Sequence, residues 1–145
     1  MENIKRNSKS INDVYKNAHM ALQSISNIIT ADIDKELKHE LQEEYEGYEK
    51  IIGEISSFMS KNNYIKQDIN VVKKTMLKVS IKTKLFFNKS KNKITEMMIQ
   101  GTVMGIIELT AMLNEKETLD KDVVSFIEEL LELEEGYEQK LKKFL

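Results

Sequence analysis

Apolar residues recur along the first thirty positions at Ile11, Val14, Tyr15, Ala18, Leu22, Ile25 and Ile29. Steps of three and four residues are the spacing of one helix face. The pattern predicts a helix from about Ser8 or Asn12 to Ile29. Asp32 or Asp34 then offers an N-cap for a second helix, whose stripe is Leu37, Leu41, Tyr45, Tyr48, Ile51, Ile52, Ile55 and Phe58. At 1.5 Å per residue this helix is about 40 Å long, a length typical of bundles. Lys61-Asn62-Asn63 is expected to end it.

The stretch from Asn70 to Phe87 reads two ways. Val72, Met76, Val79, Thr83 and Phe86 fit a helical face, whereas Val79, Ile81, Thr83 and Leu85 alternate with polar residues as a strand would. A lone strand needs a partner, and no second convincing strand occurs, so the expectation is a helix. Leu77, Ile81 and Leu85 would then form a spare apolar stripe suited to self-association. Asn88 to Asn92 reads as a polar loop, Lys93 to Asn114 as a third long helix, and Glu115 to Asp120 as a connector. The last helix should start at Asp120 or Asp122 and reach Phe144, with a stripe at Val123, Ile127, Leu130, Leu131, Tyr137, Leu141 and Phe144. The sum is an all-α four-helix bundle with a crossover helix over about 64–92. Glu46-Gly47-Tyr48-Glu49 recurs as Glu135-Gly136-Tyr137-Glu138, a short internal repeat consistent with two helix hairpins joined by a crossover, the ferritin-like plan.

Composition narrows the reading. The 145 residues suit one domain, 1–145, large enough to bury a core. Apolar residues at 41% and charged residues at 32% describe a globular chain. A net charge of −2 gives no global attraction to nucleic acid or membrane. The absence of cysteine removes disulfides and thiolate chemistry. No proline forces a helix to break. Arg6 is the single arginine, so forked recognition of phosphate or base edges is poorly equipped. The polar start does not read as a signal peptide, and no uninterrupted apolar run of about 18 residues occurs. The expected location is cytoplasmic.

Three features could carry chemistry. Glutamates fall on or near core faces at Glu44, Glu96, Glu108 and Glu134, which evokes a di-metal carboxylate bundle. Such a site also wants two inward Glu-x-x-His pairs. The only histidines are His19 and His39, and His39 lies about 160° around its helix from Leu41. No metal or other cofactor is therefore expected; those four glutamates are the only candidates, and Glu44 and Glu134 should instead bond to tyrosine hydroxyls or lysines. Second, Gly101 and Gly105 lower helix propensity by about 1 kcal/mol each, which close helix packing would offset. The apolar run from Met97 to Leu113 reads as the most buried helix. Third, Lys61 to Lys93 holds ten lysines against one acid, Asp68. This basic segment could bind an anionic surface, or lie on acidic faces of its own bundle at Glu43, Glu46, Glu49, Glu128, Glu132 and Glu135. Catalytic triads, phosphate loops, dinucleotide fingerprints and zinc spacings are absent.

The segment from Glu96 to Glu108, EMMIQGTVMGIIE, with the opening Val14-Tyr15-Lys16-Asn17-Ala18-His19-Met20 and the closing Leu141-Lys142-Lys143-Phe144-Leu145, resembles a family of short uncharacterised ferritin-like proteins of low-GC Gram-positive bacteria. The resemblance implies a four-helix bundle and brings no known activity or site residue. The expected function is a non-enzymatic, self-associating cytoplasmic bundle, most simply a homodimer. The alternatives are a degenerate ferritin-like metal or small-ligand carrier and a lysine-rich binder of anionic surfaces.

Overall fold

The computed structural model describes residues 2–67 and 90–145. The helix-or-strand question over 70–87, the crossover helix, and the stripe of Leu77, Ile81 and Leu85 fall outside them, apart from the ends of the crossover segment. The described residues form four long helices and no strand: α1 (Glu2–Ile29), α2 (Lys35–Lys61), α3 (Lys91–Leu113) and α4 (Lys121–Lys142). A 3₁₀ turn at Lys116–Thr118 joins α3 to α4.

α1 begins a turn or more before the expected start. The polar residues that suggested a boundary lie inside the helix and bond to the preceding turn. Asn7 Nδ2 donates to the Asn3 carbonyl at 2.8 Å, and Asn12 Nδ2 to the Ser8 carbonyl at 2.9 Å. Glu2 in the first turn complements the helix dipole. Asp34 caps α2 as expected, accepting from the Leu37 N–H at 3.0 Å. Asn62 and Asn63 end α2 through a defined motif. Asn63 takes a left-handed φ of 59°, its N–H bonds to the Ser60 carbonyl, and the Tyr64 N–H bonds to the Met59 carbonyl. This double bond around an αL residue satisfies the last free carbonyls. Ser90 caps α3, accepting from the Lys93 N–H at 3.2 Å. Asp120 precedes α4, but its side chain makes no cap bond. Its backbone N–H instead donates to Asn7 Oδ1 at 2.8 Å, across the bundle.

Side-chain contacts fix the helix directions. Asn12 bonds to the backbone of Ile65 and Gln67 just past α2, so α1 and α2 are antiparallel. Asn17 meets Gly105 and Asn7 meets Asp120, so α1 also runs against α3 and alongside α4. Phe58 packs on Phe126 and Tyr48 on Tyr137, so α2 runs against α4. The order is up-down-down-up. The end of α2 and the start of α3 therefore lie at opposite ends of the bundle. α1 and α2 pack as one hairpin and α3 and α4 as another. α1 and α4 cross the middle, while α2 and α3 occupy far corners with at most marginal contact.

The core follows the predicted stripes on α1, α2 and α4. Ile11, Val14, Ala18, Leu37, Leu41, Ile55, Val123, Ile127, Leu130 and Leu141 are fully buried, joined by Met59 and Leu109. The expectation for α3 is overturned. It was to be the most buried helix, yet its buried positions are only Ile94, Thr95, Met98, Thr102 and Leu109. Met104 is 72% exposed and Ile107 63%. The cause is the corner position: α3 rests on α4 and, at a crossing, on α1, so among the described residues the half of its circumference facing away has no neighbour. An apolar sequence all round a helix signals burial only when helices surround it.

Candidate functional site

A layer of buried polar side chains crosses the middle of the bundle. α2 contributes Glu40, Glu44 and Tyr48, one turn apart on the seam that also carries Leu37 and Leu41. α4 contributes Glu134 and Tyr137, α1 Asn17, and α3 Gly105. Glu44 and Glu134 are each 1% exposed and Glu40 8%. The Tyr48 hydroxyl donates to Glu134 Oε2 at 3.3 Å, and the Tyr48 and Tyr137 rings meet at 5.4 Å. Asn17 Nδ2 donates to the Gly105 carbonyl at 3.2 Å.

The glycines beside this layer make room for polar side chains. A Cβ on Gly105 would stand 2.5 Å from Glu134 Oε1 and 3.3 Å from Asn17 Oδ1. A Cβ on Gly47 would collide with the Tyr137 hydroxyl. Gly105 thus faces neighbouring side chains, whereas nothing lies within 4 Å of a would-be Cβ on Gly101, which faces outward from α3. The short repeat also acquires a structural meaning. In antiparallel α2 and α4 its two copies lie against each other and bring Tyr48 onto Tyr137. The correspondence is not symmetric, since Gly136 has nothing around it and the Tyr48 hydroxyl goes to Glu134.

Burial sets the electrostatics. Removing a carboxylate from water without a cation favours its neutral form. Burial, then the Glu40 carboxyl bonded beside it, raises Glu44 to about 10, with Lys140 opposing weakly. Burial raises Glu134 to about 8, opposed by the Tyr48 hydrogen bond and reinforced by Glu108. Tyr48 is pushed well up by burial and the neighbouring carboxylates, and Tyr137 to about 12. Glu44 and Glu134 are therefore neutral acids at neutral pH. Glu40 Oε2, Glu44 Oε2, Glu134 Oε1 and Asn17 Oδ1 accept no hydrogen bond. A proton on a carboxyl oxygen converts an orphan acceptor into a donor, which suits a site crowded with acceptors.

Of the four glutamates singled out in the sequence, two reach this layer and two do not. Glu96 is exposed, 3.8 Å from Lys93. Glu108 lies on the shoulder of α3 that faces α1, at the margin of the layer, its carboxyl raised by partial burial and by Asp13 and held back by Asn17, Lys16 and Lys9. Among the described residues no three histidine, aspartate or glutamate side chains converge as a metal ion would require. The expected tyrosine partner holds for Glu134, while Glu44 pairs with Glu40 instead. His39 is exposed beside Glu43 at 3.2 Å. His19 packs edge-on against Tyr15 at 4.5 Å, and burial followed by Lys66 lowers its pKa. Glu43, Glu46, Glu49, Glu128, Glu132 and Glu135 are all exposed, as expected of outer faces. Glu40 and Asn17 were missed. Glu40 stands four residues before Glu44 and eight before Tyr48, and Asn17 interrupts the stripe between Val14 and Ala18; both spacings carried the signal.

Chemically the layer holds protons in a buried setting. A shallow groove along α2, lined by Lys50, Gly53, Glu54, Ser57, Phe58 and Lys61, shares no residue with it. Comparison with known proteins gives no match to a protein family, a curated protein or a solved structure.

Proposed function

We propose that this chain is a non-enzymatic cytoplasmic helical-bundle protein that acts by self-association, as a homodimer. The observation that carries the reading is the outer face of α3, where Met104 and Ile107 stand exposed on a helix with little charge. Exposed large apolar side chains on a helix face of this kind mark an interaction surface. The up-down-down-up order of the helices supports a ferritin-like arrangement.

A metal or ligand carrier has less support, because Glu96 stands on the surface beside Lys93 and, among the described residues, no three carboxylate or histidine side chains converge. Among the described residues α3 alone is long and apolar enough to cross a membrane. Its outward face nonetheless presents Gln100 and Glu108 near the middle, which favours a protein partner over lipid. Equilibrium sedimentation from about 10 to about 500 µM, the range in which modest interfaces associate, tests the reading. The expected mass approaches twice the 16.9 kDa of one chain. A single-chain mass throughout would overturn it.

A further inference from the structure

We infer that two copies of this chain pair through α3 in antiparallel register about a two-fold axis at Met104. The inference rests on the self-association proposed above and names the surface, the direction and the register.

At 3.6 residues per turn, Lys93, Met97, Gln100, Gly101, Met104, Ile107, Glu108 and Ala111 all lie within about 60° of one line along α3. Every one of them is exposed except Met97, which is half-buried. Glu115, just past the helix, continues that line and is also exposed. The opposite side of α3 is the one already used, through Thr95, Met98, Thr102 and Leu109.

The face is complementary to itself. In a two-fold antiparallel pair, a residue some distance before the axis comes level with the residue equally far after it on the partner. The axis at Met104 sets the levels at which residues of the two copies meet. Met97 comes level with Ala111, large against small, as interdigitating layers require. Lys93 comes level with Glu115, opposite charges at both ends of the seam. Met104 meets its own copy, and its flexible thioether tolerates a symmetric contact. A parallel pair would instead place Glu108 against Glu108 and Lys93 against Lys93, which repel. Charge and side-chain size thus select the same direction.

The strip is about 28 Å long by helix rise. One helix face of that length buries less than the roughly 800 Å² per partner of a standard stable interface, so the dimer is a modest one that needs micromolar protein.

The chain contains no cysteine, so single introduced cysteines report the register without background. The positions are Met104→Cys, Met97→Cys and Ala111→Cys, with Ser57→Cys on the exposed side of α2 as the control. Diamide, the oxidant, takes up the two protons and two electrons released as each disulfide forms. Met104→Cys should cross-link to a covalent dimer at least tenfold faster than Ser57→Cys. Met97→Cys and Ala111→Cys should each cross-link slowly alone and at least tenfold faster when mixed. If sedimentation shows a dimer but Met104→Cys is no faster than the control, the α3 pairing is wrong and self-association stands. If the mixture gains nothing while Met97→Cys or Ala111→Cys pairs with itself, the register is wrong. A monomer at every concentration removes both proposals.

Discussion

Replacing Glu134 by glutamine isolates one proton from the rest of the protein. The unfolded chain releases the proton of this carboxyl near the ordinary 4.5, whereas the folded bundle keeps it to about 8. Between those values the folded state binds up to one proton more than the unfolded state. Stability from this group is complete below 4.5 and is lost as pH rises through 8, by about 1.4 kcal/mol per pH unit within the window. The loss is about 3 kcal/mol at pH 7 and about 5 kcal/mol at pH 9, of the same order as a domain's whole stability. Glutamine has nearly the same shape and never ionises. Its oxygen can accept from the Tyr48 hydroxyl, as that of a protonated Glu134 does.

The expected result is that E134Q matches wild type at pH 4.5, exceeds it by about 3 kcal/mol at pH 7, and exceeds it further at pH 9. Urea denaturation of both proteins at the three pH values measures this directly. Glu44 also disfavours alkaline pH, but it is common to both proteins and cancels in the difference. Wild type and E134Q losing stability in parallel from pH 4.5 to 9 would show that Glu134 ionises freely in the fold, and the account of a neutral buried layer would be wrong.

Other substitutions probe the same packing. Gly105→Ala should destabilise the bundle by about 1–2 kcal/mol, because the new methyl displaces the Glu134 carboxyl that holds Tyr48, while Gly101→Ala, measured at dilution, should stabilise it by up to about 1 kcal/mol. The pair is read by thermal or chemical melts, and equal effects at both glycines would refute the assignment of Gly105. Gly47→Ala should cost about 2 kcal/mol by driving the Tyr137 ring from its place, and Gly136→Ala should be neutral or stabilising in the same assay. Asn7→Ala should cost about 1–2 kcal/mol by leaving the Asp120 N–H without its partner, and Asn7→Asp, which keeps the accepting oxygen, should recover part of it.

The sequence revealed helices readily because periodicity is a local property. The stripes on α1, α2 and α4 and the caps at Asp34 and Asn63 need only neighbouring residues to be read. Glu44 and Glu134 were legible for the same reason, as carboxyls on an apolar seam. Burial of α3 was not legible. Its apolar circumference is local, but whether a third neighbour covers it depends on the arrangement of all the helices. The glycines divide on the same ground: Gly101 and Gly105 share a helix and a motif, yet only one faces a neighbouring helix. The start of α1 lies ahead of Ser8 because Asn7 and Asn12 bond back to the preceding turn and stay in the helix, a contact that apolar spacing does not register.

The bond from the Asp120 N–H to Asn7 joins residues near opposite ends of the chain. Asn17 likewise finds Gly105, and Tyr48 finds Glu134, so the polar groups of the first hairpin are completed by the second. A chain emerging from the ribosome at roughly 5–20 residues per second exposes Tyr48 several seconds before Glu134 exists to receive it. Throughout that interval water must serve Asn7, Asn17 and Tyr48, and a dry interior would leave them unpaired. The first half of the protein is thereby kept from sealing itself too soon, and final closure belongs to the arrival of the last helix.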